Sequence, residues 1–136
     1  MSFFNSADEL NGTLGTFLQK AMAEPEVGKA FAGTNSLMKV VFTDPDVTLW
    51  IDCRQNPPIF LPGSAEEPDL ELSMTADAGH RFWLGRLSLP VALTSRKIKV
   101  KGPTSKLMKI LPVLKPIYRR YEEFLNDQGR ADLVAV

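Results

Sequence analysis

The sequence predicts an α+β fold in a single domain, with helices at both ends of the chain and a sheet between them. Apolar residues recur at every third or fourth position near the N-terminus and again from residue 104 to about residue 127, which is the spacing of amphipathic helices. Between these segments apolar and polar residues alternate, which is the pattern of half-buried strands. We divide the 136 residues into N-terminal helices (1–34), a sheet with inserted helices (35–102), C-terminal helices (103–127) and a tail (128–136).

The N-terminal segment carries signals for two helices. Ser6 is followed three residues later by Glu9, a capping box that predicts a helix start, and an apolar stripe runs from there to Met22. Pro25 suits the first turn of a second helix, and Gly33 suits the position after its last turn. We therefore expect a helical pair ahead of the sheet.

The first strands form a predicted hairpin. Residues 37–43 and 47–54 are rich in β-branched and aromatic side chains, and the turn signal Asp44-Pro45-Asp46 separates them. Residues 59–61 fit a short edge strand inside a proline-rich loop. We therefore expect an antiparallel hairpin followed by at most one short strand.

In two further predicted strands, apolar and polar side chains alternate without interruption. Residues 69–75 place three apolar side chains on one face, and residues 97–101 place lysines opposite Ile98 and Val100. Such alternation is typical of a sheet with one dry face and one wet face.

Helices are predicted between and after these strands. Thr75 can cap a helix that ends near Gly85, and residues 90–94 fit a helical turn. From residue 104 the apolar stripe predicts one long helix, or two helices broken at Pro112.

The charges are divided between the two halves of the chain. The formal net charge is zero, but residues 1–80 hold 4 basic and 12 acidic residues, whereas residues 81–136 hold 12 basic and 4 acidic ones. Residues 81–120 contain eleven basic residues and no acidic one. This segment either packs against the acidic half or presents a surface to anionic lipid headgroups. A nucleic-acid partner is not expected, because base-stacking aromatics do not accompany the lysines.

Few residues of the chain are suited to catalysis, disulfide formation or metal binding. One cysteine (Cys53) and one histidine (His80) exclude an internal disulfide and a zinc site of Cys and His ligands. We expect Cys53 in the core and His80 exposed or capping a helix, with no catalytic residue, metal or cofactor. The first ten residues are not a basic leader, and no apolar stretch approaches the roughly 18 residues of a membrane span, so we expect a cytoplasmic protein.

The later half of the sequence resembles the sterol carrier protein type two family of small lipid-binding domains. The likeness runs from Asp69 to about Leu114 and covers a strand opened by an acidic residue, a helix ending at Leu84-Gly85, a basic strand and an amphipathic helix. Upstream, residues 40–42 and 49–52 resemble the family's first hairpin. This chain departs from the family at Gly79, Arg96 and Pro103, where an aromatic, a glycine and an acidic or polar residue are usual, and in its longer C-terminal helix.

The resemblance implies a twisted, mainly antiparallel five-stranded sheet with helices on one face and an apolar tunnel between the layers. It implies noncatalytic binding and carriage of a fatty acyl, acyl-CoA or sterol-like ligand. A possible further partner is an anionic membrane surface, met by Arg96, Lys97, Lys99 and Lys101. From the strand faces and helix stripes we expect the tunnel to be lined by Leu49, Ile51, Leu72, Met74, Phe82, Trp83, Leu87, Val91, Ile98, Val100, Met108 and Leu111, with Tyr118 and Tyr121 at its mouth.

Two alternatives remain open at this point. The apolar groove can instead accept an amphipathic helix, either residues 119–136 of the same chain or the C-terminal helix of a second copy in a homodimer. A small steroid-isomerase-like enzyme would use Asp52 with Tyr118 or Tyr121. The ligand, the pathway and the oligomeric state are not specified by the sequence.

Overall fold

The computed structural model describes residues 2–136, and its elements follow the predicted order. The strands are β1 (Leu37–Thr43), β2 (Val47–Asp52), β3 (Ile59–Leu61), β4 (Leu70–Thr75) and β5 (Ile98–Lys101). The helices are α1 (Ala7–Leu10), α2 (Thr16–Met22), α3 (Pro25–Ala32), α4 (Ala76–Trp83), α5 (Leu89–Thr94), α6 (Thr104–Leu107), α7 (Leu111–Asp127) and α8 (Ala131–Val134).

The five strands form one mixed, mostly antiparallel sheet in the order β3-β2-β1-β4-β5. The central pair, β1 and β4, is parallel, and the other three pairs are antiparallel. Asp69 fixes the start of the parallel pair, because its carboxylate accepts a hydrogen bond from the backbone N–H of Leu37 at 2.8 Å and its own N–H donates to the Leu37 carbonyl at 2.9 Å. The predicted sheet is confirmed.

The helices cover one face of this sheet. On β1, Met38, Val40 and Phe42 are buried beneath the helices, whereas the residues between them are only partly buried. On the opposite face Lys39 forms an ion pair with Glu71 at 3.7 Å and lies over the ring of Trp50. The sheet therefore has the dry face and the wet face that the alternation predicts.

The predicted helix caps are present. The Ser6 hydroxyl accepts from the Glu9 N–H at 3.1 Å, and the Thr75 hydroxyl accepts from the Ala78 N–H at 3.1 Å. Between α1 and α2 the sequence analysis missed a π-helical turn, Asn11–Gly15. Its two glycines have low helix propensity, which lowers the cost of leaving regular α-helical geometry.

The C-terminal helices break before Pro112 rather than at it. A 3₁₀ turn, Met108–Ile110, separates α6 from α7, and Pro112 lies in the first turn of α7. There its missing N–H costs no helical hydrogen bond. The apolar side of α7 is buried against the chain's own helices, with Ile117, Tyr121 and Leu125 at its centre.

The tail folds back onto the body, which the sequence analysis did not predict. It forms α8, and Leu133 is buried. His80 is also fully buried, so the expectation of an exposed or capping histidine was wrong. Its Nε2 lies 2.8 Å from the Leu133 carbonyl oxygen and its Nδ1 lies 2.8 Å from the Tyr121 hydroxyl. Because a carbonyl only accepts, Nε2 carries the proton of the neutral ring, and Nδ1 accepts from Tyr121.

His80 is expected to make the free energy of unfolding depend on pH below about pH 6.5. Burial lowers the pKa of His80 below its ordinary value of 6.5, so the unfolded chain binds a proton there that the folded chain does not. The free energy of unfolding should be highest above about pH 6.5 and fall below it by up to about 1.4 kcal/mol per pH unit, until the folded pKa is reached. Urea unfolding at a series of pH values between about 7.5 and 4.5, the range in which histidine titrates, measures this slope.

The matched variant is His80→Gln, which keeps one donor and one acceptor but does not titrate. Since His80 is the chain's single histidine, the slope should largely disappear in the variant. The same dependence of the free energy of unfolding on pH in both proteins would contradict its assignment to His80.

Gly102 is expected to be essential for the end of β5. Its φ is +117°, and a Cβ built there would lie 2.3 Å from the carbonyl oxygen of Asp69. Gly102→Ala should lower the free energy of unfolding by about 2 kcal/mol or more, because both the backbone conformation and the contact are unfavourable. Gly63→Ala is the control, since no atom lies within 4 Å of its added Cβ. Equal effects in urea unfolding would refute this account.

Candidate functional site

An apolar cavity of about 40 Å³ lies between the covered face of the sheet and the helices. Every residue that lines it is apolar. Six of the residues predicted to line a tunnel are among them: Ile51, Leu72, Met74, Phe82, Trp83 and Ile98. The strand faces and α4 therefore converge on one site, as the alternation and the helix spacing indicate.

Four of the other predicted residues lie at or near the surface. Val91 is 57% exposed, because α5 buries Leu89 and Ala92 and places Val91 on its opposite side. Leu111 is 42% exposed, because the 3₁₀ turn changes the helical phase and turns Ile110 and Leu114 inward instead. The remaining two lie in other depressions, where Leu87 lines a groove rich in cations and Val100 a shallow hollow beside Leu93.

The last four predicted residues pack elsewhere in the core. Leu49 and Met108 are buried or partly buried outside the cavity lining. Tyr118 packs against the ring of Phe82 from outside, with 6.3 Å between ring centroids. Tyr121 is fully buried against His80, so it does not stand at a mouth of the cavity.

The sequence analysis missed the contribution of the N-terminal helices and of the C-terminal turn. The lining was inferred from the later half of the chain, although the stripe ending at Met22 was visible in the sequence. Val40 lies beside Leu72 on the neighbouring strand, but that pairing was not predictable from the sequence. The missed residues are Leu18, Met22, Phe31, Met38, Val40, Leu89, Leu107 and Ile110.

The cavity is small for a ligand site. A single water occupies about 30 Å³ of the liquid, and sites for small molecules usually measure about 300–1,000 Å³. A long ligand therefore fits only if lining side chains move. Three of the lining residues are methionines, Met22, Met38 and Met74, whose unbranched thioethers change rotamer readily. The cavity is thus small but has an adaptable wall.

No residue after Ile110 lines this cavity. Residues 119–136 lie outside it, within α7, α8 and the segments that join and follow them. The C-terminal extension therefore does not fill the cavity in this structure, contrary to one of the alternatives that the sequence left open.

A second depression, which we call the basic groove, opens beside the cavity and measures about 590 Å³. It lies where β4 passes into α4 and where β5 begins. Its cationic side chains come from α4, from the loop after it, from the turn between α5 and β5, and from β5 itself. They are Arg81, Arg86, Arg96, Lys97 and Lys99.

The basic groove has a strong positive bias. Asp77 is the acidic residue of its lining, and the Asp77 carboxylate already accepts from the N–H of Phe3 at 2.9 Å and from the Ser2 hydroxyl at 3.3 Å. Within residues 2–136 none of the five cations of the groove is paired with a carboxylate side chain. Arg86 donates instead to the oxygen of Val136, and the Arg81 guanidinium lies 5.1 Å from the centre of the Phe3 ring. Met74 lines both the groove and the apolar cavity, so the two are neighbours.

The arrangement that a steroid isomerase would need is not formed. The Asp52 carboxylate accepts from the Arg54 guanidinium at 2.9 Å on the face of the sheet opposite the cavity, and hydrogen bonds from Arg54 lower the pKa of Asp52 to about 2. A carboxylate held so firmly ionised is a weak general base. Tyr121 donates to His80, and burial raises the pKa of the Cys53 thiol to about 12.

Two further observations concern metal binding and membrane-spanning helices. Within residues 2–136, no three His, Cys, Asp or Glu side chains are grouped so that they could hold a metal ion. In the same part of the chain no helix is long and apolar enough to cross a membrane.

Comparison with known proteins agrees with the observed fold. The fold is similar to the sterol carrier protein domain 2 of Helicoverpa armigera (TM-score 0.69, 15% identity, 87% of this chain and 96% of that one). It is also similar to sterol carrier protein 2 of Yarrowia lipolytica (TM-score 0.58, 17% identity, 75% of this chain and 87% of that one). A third similar structure is sterol carrier protein 2 like 2 of Aedes aegypti (TM-score 0.57, 15% identity, 76% of this chain and 98% of that one). Among curated protein sequences none matches. Residues 14–115 match the model of the SCP-2 sterol transfer family, and the chain belongs to that family.

Proposed function

We propose that the protein binds the hydrocarbon chain of a lipid in the apolar cavity and carries it without chemical change. The single observation that supports this most is the lining of the cavity, which is wholly apolar and lies between the sheet and the helices. Membership of the SCP-2 sterol transfer family suggests lipid or sterol binding and transfer, which agrees with a noncatalytic carrier.

Hydrophobic transfer is a sufficient driving force for this function. A dozen methylenes moved out of water contribute about 10 kcal/mol, at about 0.8 kcal/mol each. Ordering the ligand chain and opening the cavity oppose this gain. A micromolar affinity needs a net gain of about 8 kcal/mol, so it is reached only if these costs stay small. Because no polar group in the lining fixes an orientation, the site should accept fatty acyl and sterol-like chains with little selectivity.

The cavity must widen to admit the chain, and helix α5 is the element best placed to allow it. Leu89 of α5 lines the cavity, while Val91 faces solvent. The helix has only six residues and lies between Gly85 and Arg96, which both adopt positive φ. We propose that α5 shifts outward while the methionines of the lining change rotamer.

A carrier must also exchange its ligand with membranes. Arg96, Lys97, Lys99 and Lys101 are exposed at the edge of the sheet, next to α5. We propose that this basic edge meets anionic lipid surfaces, which attract clustered Lys and Arg side chains. The orientation would bring α5 close to the source of the ligand.

The two tryptophans allow a direct test of where the chain binds. Trp83 lines the cavity, and Trp50 lies on the opposite face of the sheet. Bromine atoms quench indole fluorescence at short range. Dibromostearate should therefore quench most of the fluorescence of the Trp50→Phe variant, in which Trp83 remains, and little of that of Trp83→Phe.

Unbrominated stearate is the control for quenching, and both variants should bind it. Quenching of both variants to the same extent would place the chain outside the cavity. Absence of any binding by either variant and by the unaltered protein would remove the proposed function altogether.

A further inference from the structure

We propose that the basic groove is a second, polar binding site, which holds the phosphate ester of a single-chain lipid whose hydrocarbon chain occupies the apolar cavity. This inference rests on the proposed function, since it assigns the head of the same ligand. It goes beyond that function because it names the chemical class of the head and the side chains that bind it.

The charges of the groove favour a phosphate over a carboxylate. A carboxylate is satisfied by one guanidinium fork, whereas a phosphate ester carries up to two negative charges and three strong acceptor oxygens. The groove offers three arginines and two lysines, none of them paired with a carboxylate side chain within residues 2–136. Arg86 already donates to the Val136 oxygen and Arg81 lies over the Phe3 ring, so Arg96, Lys97 and Lys99 carry the assignment. Asp77, its one acidic lining residue, is occupied by the backbone of Phe3 and the hydroxyl of Ser2.

The groove and the cavity are arranged for one ligand. Met74 lines both, so the two spaces adjoin at this flexible side chain. The space for Met74 depends on Gly79, because a Cβ at Gly79 would lie 3.2 Å from the Met74 sulfur and 2.7 Å from the ring of Phe42. A rotamer change of Met74 would join the polar and the apolar site, with the head in the groove and the chain under α5.

Arg96 supports the assignment and provides a sharp variant. Its φ is +61°, in the left-handed region that favours glycine. An arginine held there is costly for the backbone, yet its side chain is exposed and lines the groove. Replacement by glycine removes the cation and the steric cost together. Arg96→Gly should therefore fold as well as the unaltered protein while it binds a phosphate less tightly.

The experiment compares Arg96→Gly/Lys99→Gln with Lys115→Gln/Arg119→Gln, a control that removes the same two charges. Lys115 and Arg119 are exposed on α7 and do not line the groove. Calorimetry with hexadecyl phosphate, palmitate and inorganic pyrophosphate measures affinity, and thermal unfolding measures stability. The groove variant should bind hexadecyl phosphate about tenfold more weakly, as expected for the loss of two charge-assisted contacts, while its affinity for palmitate changes less and the control variant changes neither.

The outcomes separate this inference from the proposed function. Tight binding of palmitate with no advantage for hexadecyl phosphate would overturn the phosphate site and leave the proposed function intact. An equal loss of affinity for hexadecyl phosphate in Lys115→Gln/Arg119→Gln would mean that overall surface charge is responsible, which also overturns the groove. If neither hexadecyl phosphate nor palmitate binds, the proposed function and the shared site are both overturned, even if pyrophosphate binds in an Arg96-dependent manner.

Discussion

Incomplete packing between one face of the sheet and the helices above it is the constraint on which the site depends. Side chains from the N-terminal helices, the sheet, α4, α5 and the C-terminal turn all meet there, and they leave a cavity of about 40 Å³. Protein interiors normally close such gaps, because each lost contact weakens the core. Methionines at three positions make the gap adaptable at modest cost, since a thioether chain can fill it or move aside. Under the proposed function, the same surplus of apolar side chains that stabilises the fold also receives a hydrocarbon.

Helix α4 connects this cavity to the rest of the molecule. Its helical period directs successive residues to different surroundings: Asp77 holds the N-terminal backbone, His80 holds the C-terminal tail, and Arg81 lines the basic groove. Phe82 and Trp83, at its end, line the cavity with their rings edge to face at 4.8 Å between centroids. A movement of α4 would therefore displace residues at both ends of the chain. The buried pair of His80 and Tyr121 opposes such movement, so any opening should begin in α5 instead.

Local patterns in the sequence predicted most helices and strands correctly, but only some of the contacts between them. Period-two alternation fixed which face of β4 and β5 is dry, and caps at Ser6 and Thr75 fixed two helix starts. The parallel pairing of β1 with β4 was not predictable in this way, because register depends on contacts between residues distant in the chain. His80 was misjudged for the same reason: its partners are 41 and 53 residues away. Val91 and Leu111 were misplaced because a short helix and a 3₁₀ turn shift the phase that a regular period assumes.

The central claim is that a hydrocarbon chain enters the space between sheet and helices. Methionine methyl resonances of protein labelled with ¹³C at these groups report on it directly during titration with palmitate. Met22, Met38 and Met74 line the cavity, whereas Met108 is packed against the core outside it. The account predicts large shifts at the three lining methyls and a small one at Met108. Shifts confined to Met108, or no shift at any methyl once palmitate is in excess, would contradict it.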